Sequence, residues 1–85
     1  MDIYQKIVVE IHKYIDKLDN DEEFKRNNPN ITATEYLISE IDPDIKSQRL
    51  RNILEGKAKR ISLQELCIIC YWLNIELTDL FKDID

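Results

Sequence analysis

Only three residues in this chain of 85 are strong helix breakers: Pro29, Pro43 and Gly56. That scarcity limits the fold more than any other feature. β-Hairpins, sandwiches and phosphate-cradling loops draw on Gly and Pro at their turns. A chain without them, rich in Ile, Leu, Lys, Glu and Asp, is predicted to be all-α.

Periodicity divides the chain into five helices. In 2–18, Ile3, Ile7, Ile11, Tyr14 or Ile15, and Leu18 recur at intervals of three and four, with Lys6, Glu10, Lys13 and Lys17 opposite. Residues 19–31 read as a polar loop with at most one helical turn at 21–26. Phe24 is expected to anchor that loop. Helix two spans 32–41, opened by the capping-box pair Thr32 and Glu35 and stopped by Asp42-Pro43-Asp44. Helix three spans 45–55, with Ile45, Leu50, Ile53 and Leu54 inward and Gly56 just past its end. Helix four spans 63–74, capped by Ser62 and Glu65 and apolar nearly all round, which suits a core or an interface. Helix five is short, 77–82.

One domain over 1–85 is expected at this length, with roughly two thirds of the chain's surface buried on folding. That leaves room for a core but little for a deep substrate pocket. No apolar run approaches the ~18–20 residues of a membrane span. The opening Met-Asp-Ile-Tyr-Gln lacks the basic and apolar regions of a secretion signal. With two Cys and no such signal, a reducing, cytoplasmic location with free thiols is expected. Cys67 and Cys70 form a C-x-x-C inside an apolar helical run. With His12 as the only histidine, they read as core thiols rather than metal ligands. No cofactor or metal is expected. His12 has no nucleophile at a recognisable spacing, and the carboxylate pair Glu22-Glu23 lies in a polar loop, so an enzyme is not expected.

The formal net charge is −5, which taken alone argues against a nucleic-acid partner. Its distribution argues the other way. Residues 46–60 hold Lys46, Arg49, Arg51, Lys57, Lys59 and Arg60 against Glu55 alone, a net of +5. The remainder of the chain carries −10. A local cationic segment governs partner choice more than the total does.

Ile53-Leu54-Glu55-Gly56-Lys57, then Ile61-Ser62-Leu63-Gln64-Glu65-Leu66, then Leu73-Asn74-Ile75-Glu76-Leu77-Thr78-Asp79-Leu80-Phe81, resembles the Cro and phage-repressor helix-turn-helix family (the xenobiotic-response-element type). The resemblance implies a compact five-helix bundle whose second and third helices form a helix-turn-helix, and double-stranded DNA as partner. It also implies that the third helix lies in the major groove and that the chain acts as a homodimer. Three places depart from the pattern. The turn Asp42-Pro43-Asp44-Ile45 and the loop after helix one are longer than usual, and Glu76 stands where a Ser cap is common.

Matched to that pattern, Lys46, Ser47, Gln48, Arg49 and Asn52 fall on the exposed early part of helix three as candidate base contacts. Arg can pair bidentately with guanine, and Gln or Asn with adenine. Arg51, Lys57, Lys59 and Arg60 are candidate phosphate contacts. Thr32 and Thr34, at the start of helix two, are either phosphate contacts or plain caps. Tyr71 and Trp72 read as core or as a dimer contact. The functional expectation is a sequence-specific transcriptional regulator, in the simplest form a repressor acting by operator occupancy. The alternative is a protein-interaction module on the same fold, such as a phage or mobile-element inhibitor or an antitoxin-like partner.

Overall fold

Asp2 opens the first helix. Its carboxylate accepts the Gln5 N–H at 2.9 Å while the Gln5 side chain accepts the Asp2 N–H at 3.2 Å, which satisfies two donors that a helix start leaves orphaned. In the computed structural model, which describes residues 2–82 and 84, helix α1 then runs Ile3–Asp19. Its inner stripe, Ile7, Val8, Ile11 and Ile15, is buried. Glu10, which the periodicity places on the polar face, is buried too; the Lys13 ammonium sits 3.0 Å from its carboxylate and supplies the counter-charge.

The 19–31 segment departs from expectation. It holds a six-residue helix, α2, Glu22–Asn27, capped by the Asp21 carboxylate accepting from the Phe24 N–H. Six residues with one apolar side chain generate no readable period. Phe24 does anchor the segment: it is buried, and its ring meets Tyr36 edge-on with centroids 5.3 Å apart.

Helix α3 is Ala33–Ile41 and α4 is Ser47–Leu54. Residues 42–46 join them, with the Asp44 N–H donating to the Ile41 carbonyl at 2.8 Å. Ile45 is buried but lies in this connection, so α4 is shorter than the apolar pattern alone indicates. Helix α5, Leu63–Leu73, carries the full Ser62–Glu65 capping box and ends at left-handed Asn74. Helix α6 is Leu77–Phe81, with the Asp79 carboxylate accepting the Glu76 N–H. The described residues thus form six helices and no strand.

α1 packs on α3, α4, α5 and α6, and α3 also packs on α4 and α5. The result is a compact helical body with a radius of gyration of 12.5 Å. Ile11, Ile15, Leu37, Ile41, Leu50, Ile53, Ile69 and Leu80 are its most completely buried large side chains. Each contributes about 1.5–3 kcal/mol by leaving water. His12 adds a polar tie: its Nε2 lies 2.6 Å from the Leu54 carbonyl, one of the acceptors the end of α4 would otherwise leave open. None of the described helices is long and apolar enough to cross a membrane.

Candidate functional site

Burial of Leu50, Ile53 and Leu54 fixes how α4 rotates. At 3.6 residues per turn, Gln48, Arg51 and Asn52 are then directed away from the core, and Ser47 and Arg49 lie on the two flanks. The burial pattern agrees: Lys46, Gln48 and Arg51 are exposed, while Ser47, Arg49 and Asn52 are half-buried. Lys46 sits at the cap position of α4 rather than within it. The Gln48 amide donates to the Asn52 side-chain oxygen at 3.1 Å, so the two amides form one outward-facing pair.

The basic loop follows directly. Gly56 adopts φ +77°, and a Cβ there would meet nothing within 4 Å, so glycine is required for its backbone and not for space. This reversal sends the Lys57 and Ala58 N–H groups to the Asn52 carbonyl and the Gly56 N–H to the Ile53 carbonyl, closing the helix end. Lys57, Lys59 and Arg60 emerge exposed next to the outward face of α4. Lys57 meets Glu55 at 2.9 Å. Both are well exposed, and such a pair exchanges readily for another anion.

Arg49 is placed differently from the other basic residues. Its Nε donates to Glu65 at 2.7 Å, its Nη2 donates to the second Glu65 oxygen at 2.9 Å, and the same Nη2 donates to the Arg60 carbonyl at 2.7 Å. This two-pronged pairing is the strong form of an arginine–carboxylate contact. The guanidinium therefore spans α4, the basic loop and the start of α5, where the sequence reading has it reaching for a base. Glu65 was legible only as a cap. Nothing in a single sequence announces a side-chain pair across two helices.

The Arg49 hydrogen bonds and charge, with those from Ser62, hold the Glu65 carboxyl at about 2, against an ordinary 4.5. A depressed carboxylate stabilises the fold above its unfolded value, and that stability is lost as pH falls through the folded value. The window is therefore from 4.5 down to about 2. Arg49 is partly exposed, so solvent screening reduces the contribution to the order of 2 kcal/mol. Glu65→Gln should be less stable than wild type by about that amount at neutral pH. Its deficit should shrink across the window and vanish near the lower end. Urea unfolding at several pH values checks this; equal stabilities at neutral pH would contradict it.

Thr32 and Thr34 lie apart from this face. Thr32 caps α3, accepting the Glu35 N–H at 3.1 Å, and its hydroxyl donates to the Glu35 carboxylate. Glu35 thus returns to the Thr32 hydroxyl and not to its backbone, which differs from the full capping box expected. The Ala33 N–H donates to Asp19 at 2.7 Å. The start of α3 already holds carboxylates, which disfavours a phosphate there. Thr34 is half-buried.

Only one of the two C-x-x-C cysteines is the core thiol expected of both. Cys70 is buried, and that burial raises its thiol to about 11, but Cys67 is exposed. Three residues along a helix turn the side chain by about 60°, enough to carry Cys67 to the edge of the packed face. It joins Leu63 and Tyr71, 64% and 76% exposed, in an apolar strip along the outside of α5. Trp72 is half-buried, edge-on to both Tyr36 and Tyr71. Among the described residues, no three His, Cys, Asp or Glu side chains are grouped to hold a metal ion.

Compared with known proteins, the chain matches no protein-family model, no curated protein and no solved structure.

Proposed function

We propose that this protein is a sequence-specific double-stranded DNA-binding regulator of transcription, with α3 and α4 serving as a helix-turn-helix and α4 entering the major groove. One observation carries the reading: a segment of net charge +5, in a chain of −5, runs along a short helix and the loop beside it, and five of its six basic side chains, all but the Glu65-paired Arg49, are exposed. Phosphates demand that concentration of cations, and base edges demand amides and hydroxyls among them. Lys46, Ser47, Gln48 and Asn52 are the groups proposed for bases, the Gln48–Asn52 amide pair being suited to adenine. Arg51, Lys57, Lys59 and Arg60 are those proposed for phosphates. Thr32 and Thr34 are left out because carboxylates already occupy the start of α3. The protein works in the cytoplasm, represses by occupying its operator, and binds as a homodimer on half-sites about one helical turn apart.

The surface proposed for the second copy is the outside of α5. Residues 66–75 contain no charged side chain, in a protein whose charged content is 34%. Two acidic molecules repel over most of their surfaces, and a neutral apolar strip lets them meet without burying a charge. Tyr71→Asp should convert the dimer to monomer in sedimentation, with far-UV dichroism unchanged; a wild-type protein that is monomeric at high concentration would remove this element. The same strip is the observation that favours the second reading, a helical module that binds another protein with little affinity for DNA.

Fluorescence anisotropy of labelled duplex, at ~50 and ~200 mM salt, tests the reading. Binding should weaken steeply with salt, with a log–log slope near ~0.9 per phosphate neutralised. Absence of binding at the lower salt would reject it in favour of the protein-partner reading.

A further inference from the structure

We propose that Arg49 and Glu65 are positioning residues: the pair clamps the basic loop in the shape that meets DNA phosphates, and Arg49 does not itself read a base. The inference rests on the DNA-binding reading above. The loop is held at both ends. At its start, the Asn52 carbonyl takes the Lys57 and Ala58 N–H groups. At its end, Arg49 holds the Arg60 carbonyl at 2.7 Å while gripping Glu65. Glu65 in turn takes the Ser62 N–H at 2.9 Å, and Ser62 takes the Glu65 N–H at 3.1 Å. One guanidinium thus ties α4, the loop and the capped start of α5 into a single unit.

Two consequences follow from the chemistry. Lys57, Lys59 and Arg60 are carried on backbone that is ordered before DNA arrives, so less ordering has to be paid on binding. Glu65 would otherwise bring an unpaired carboxylate beside the phosphate-facing loop, and Arg49 neutralises it. The fork geometry is essential to the first, whereas neutralising Glu65 needs only a positive charge. A lysine at 49 carries the charge but cannot serve two carboxylate oxygens and a carbonyl from one plane.

The test compares wild type with Arg49→Ala, Arg49→Lys and Glu65→Gln on one labelled duplex over a salt series. The clamp predicts that all three bind about ten-fold weaker or worse, and that Arg49→Ala lowers the salt slope by more than the ~0.9 of a single lost contact. If Arg49 instead leaves Glu65 to touch DNA, Glu65→Gln frees it and binds as well as wild type or better. Near-wild-type binding by Arg49→Lys would likewise show that charge alone suffices. Either result overturns the clamp. Backbone order parameters of residues 57–61 decide it separately from DNA. They should fall from the rigid range near ~0.85 toward ~0.6 in Arg49→Ala; unchanged values overturn the clamp even if wild type binds no duplex, a result that by itself rejects only the DNA reading.

Discussion

Replacing Lys57, Lys59 and Arg60 together with alanine should weaken duplex binding by two to three orders of magnitude near ~0.1 M salt. Each phosphate contact releases condensed counterion equivalent to a log–log slope of ~0.9, so three contacts account for roughly ~2.7 of slope and a factor of several hundred at that salt. All three side chains are exposed on a loop whose turn is set by Gly56 and whose hydrogen bonds run through backbone groups, and the one ion pair lost, Lys57–Glu55, is well exposed, so the fold should survive their loss. The loss should be nearly the same for every duplex sequence, because phosphate contacts carry no sequence information. Gln48→Ala should behave in the opposite way, narrowing the gap between preferred and random duplex while leaving the salt slope alone. Anisotropy at four salt concentrations reads both quantities. A triple variant with the wild-type slope would show that the loop does not face phosphates.

Ile11→Ala should have the largest effect on stability. Ile11 is wholly buried on α1, the helix that packs on α3, α4, α5 and α6. Truncation removes buried methyl and methylene groups and leaves a cavity in the packed core that its surroundings only partly fill. The expected cost is about 2–5 kcal/mol. A domain of this size has about 4–13 kcal/mol in total, so thermal unfolding should come roughly 10–30 °C earlier. Val9→Ala, on the same helix but at a position 44% exposed, should change stability by no more than about 0.5 kcal/mol. Calorimetry of the two variants settles the contrast. Similar melting points for both would mean that α1 is not the centre of the core.

The periodic helices were legible because their physics is local. The α1 stripe, the Ser62–Glu65 cap and the glycine past α4 are each written within a few neighbouring residues. The cationic segment was legible for the same reason, as charge is visible without a fold. Most of the misses involve packing against segments distant in sequence. Helix α2 has one apolar residue, and only Tyr36 on α3 shows why Phe24 turns inward. Glu10 looks solvated until Lys13 and the packing around α1 are seen together. Cys67 belongs to an apolar run, yet neighbouring helices cover only the side of α5 that carries Leu66, Ile69 and Cys70. Arg49 looks like its basic neighbours, and its different task depends on Glu65, sixteen positions along the chain.

The most direct measurement is a titration of the isotope-labelled protein with a duplex at ~50 mM salt, following backbone amide shifts. The largest changes should fall on residues 46–52 and 57–60, with the outside of α5 little affected by DNA itself. Shifts centred on Leu63, Cys67 and Tyr71, or no shifts with duplex in excess, would rule out α4 and the basic loop as the DNA-binding face.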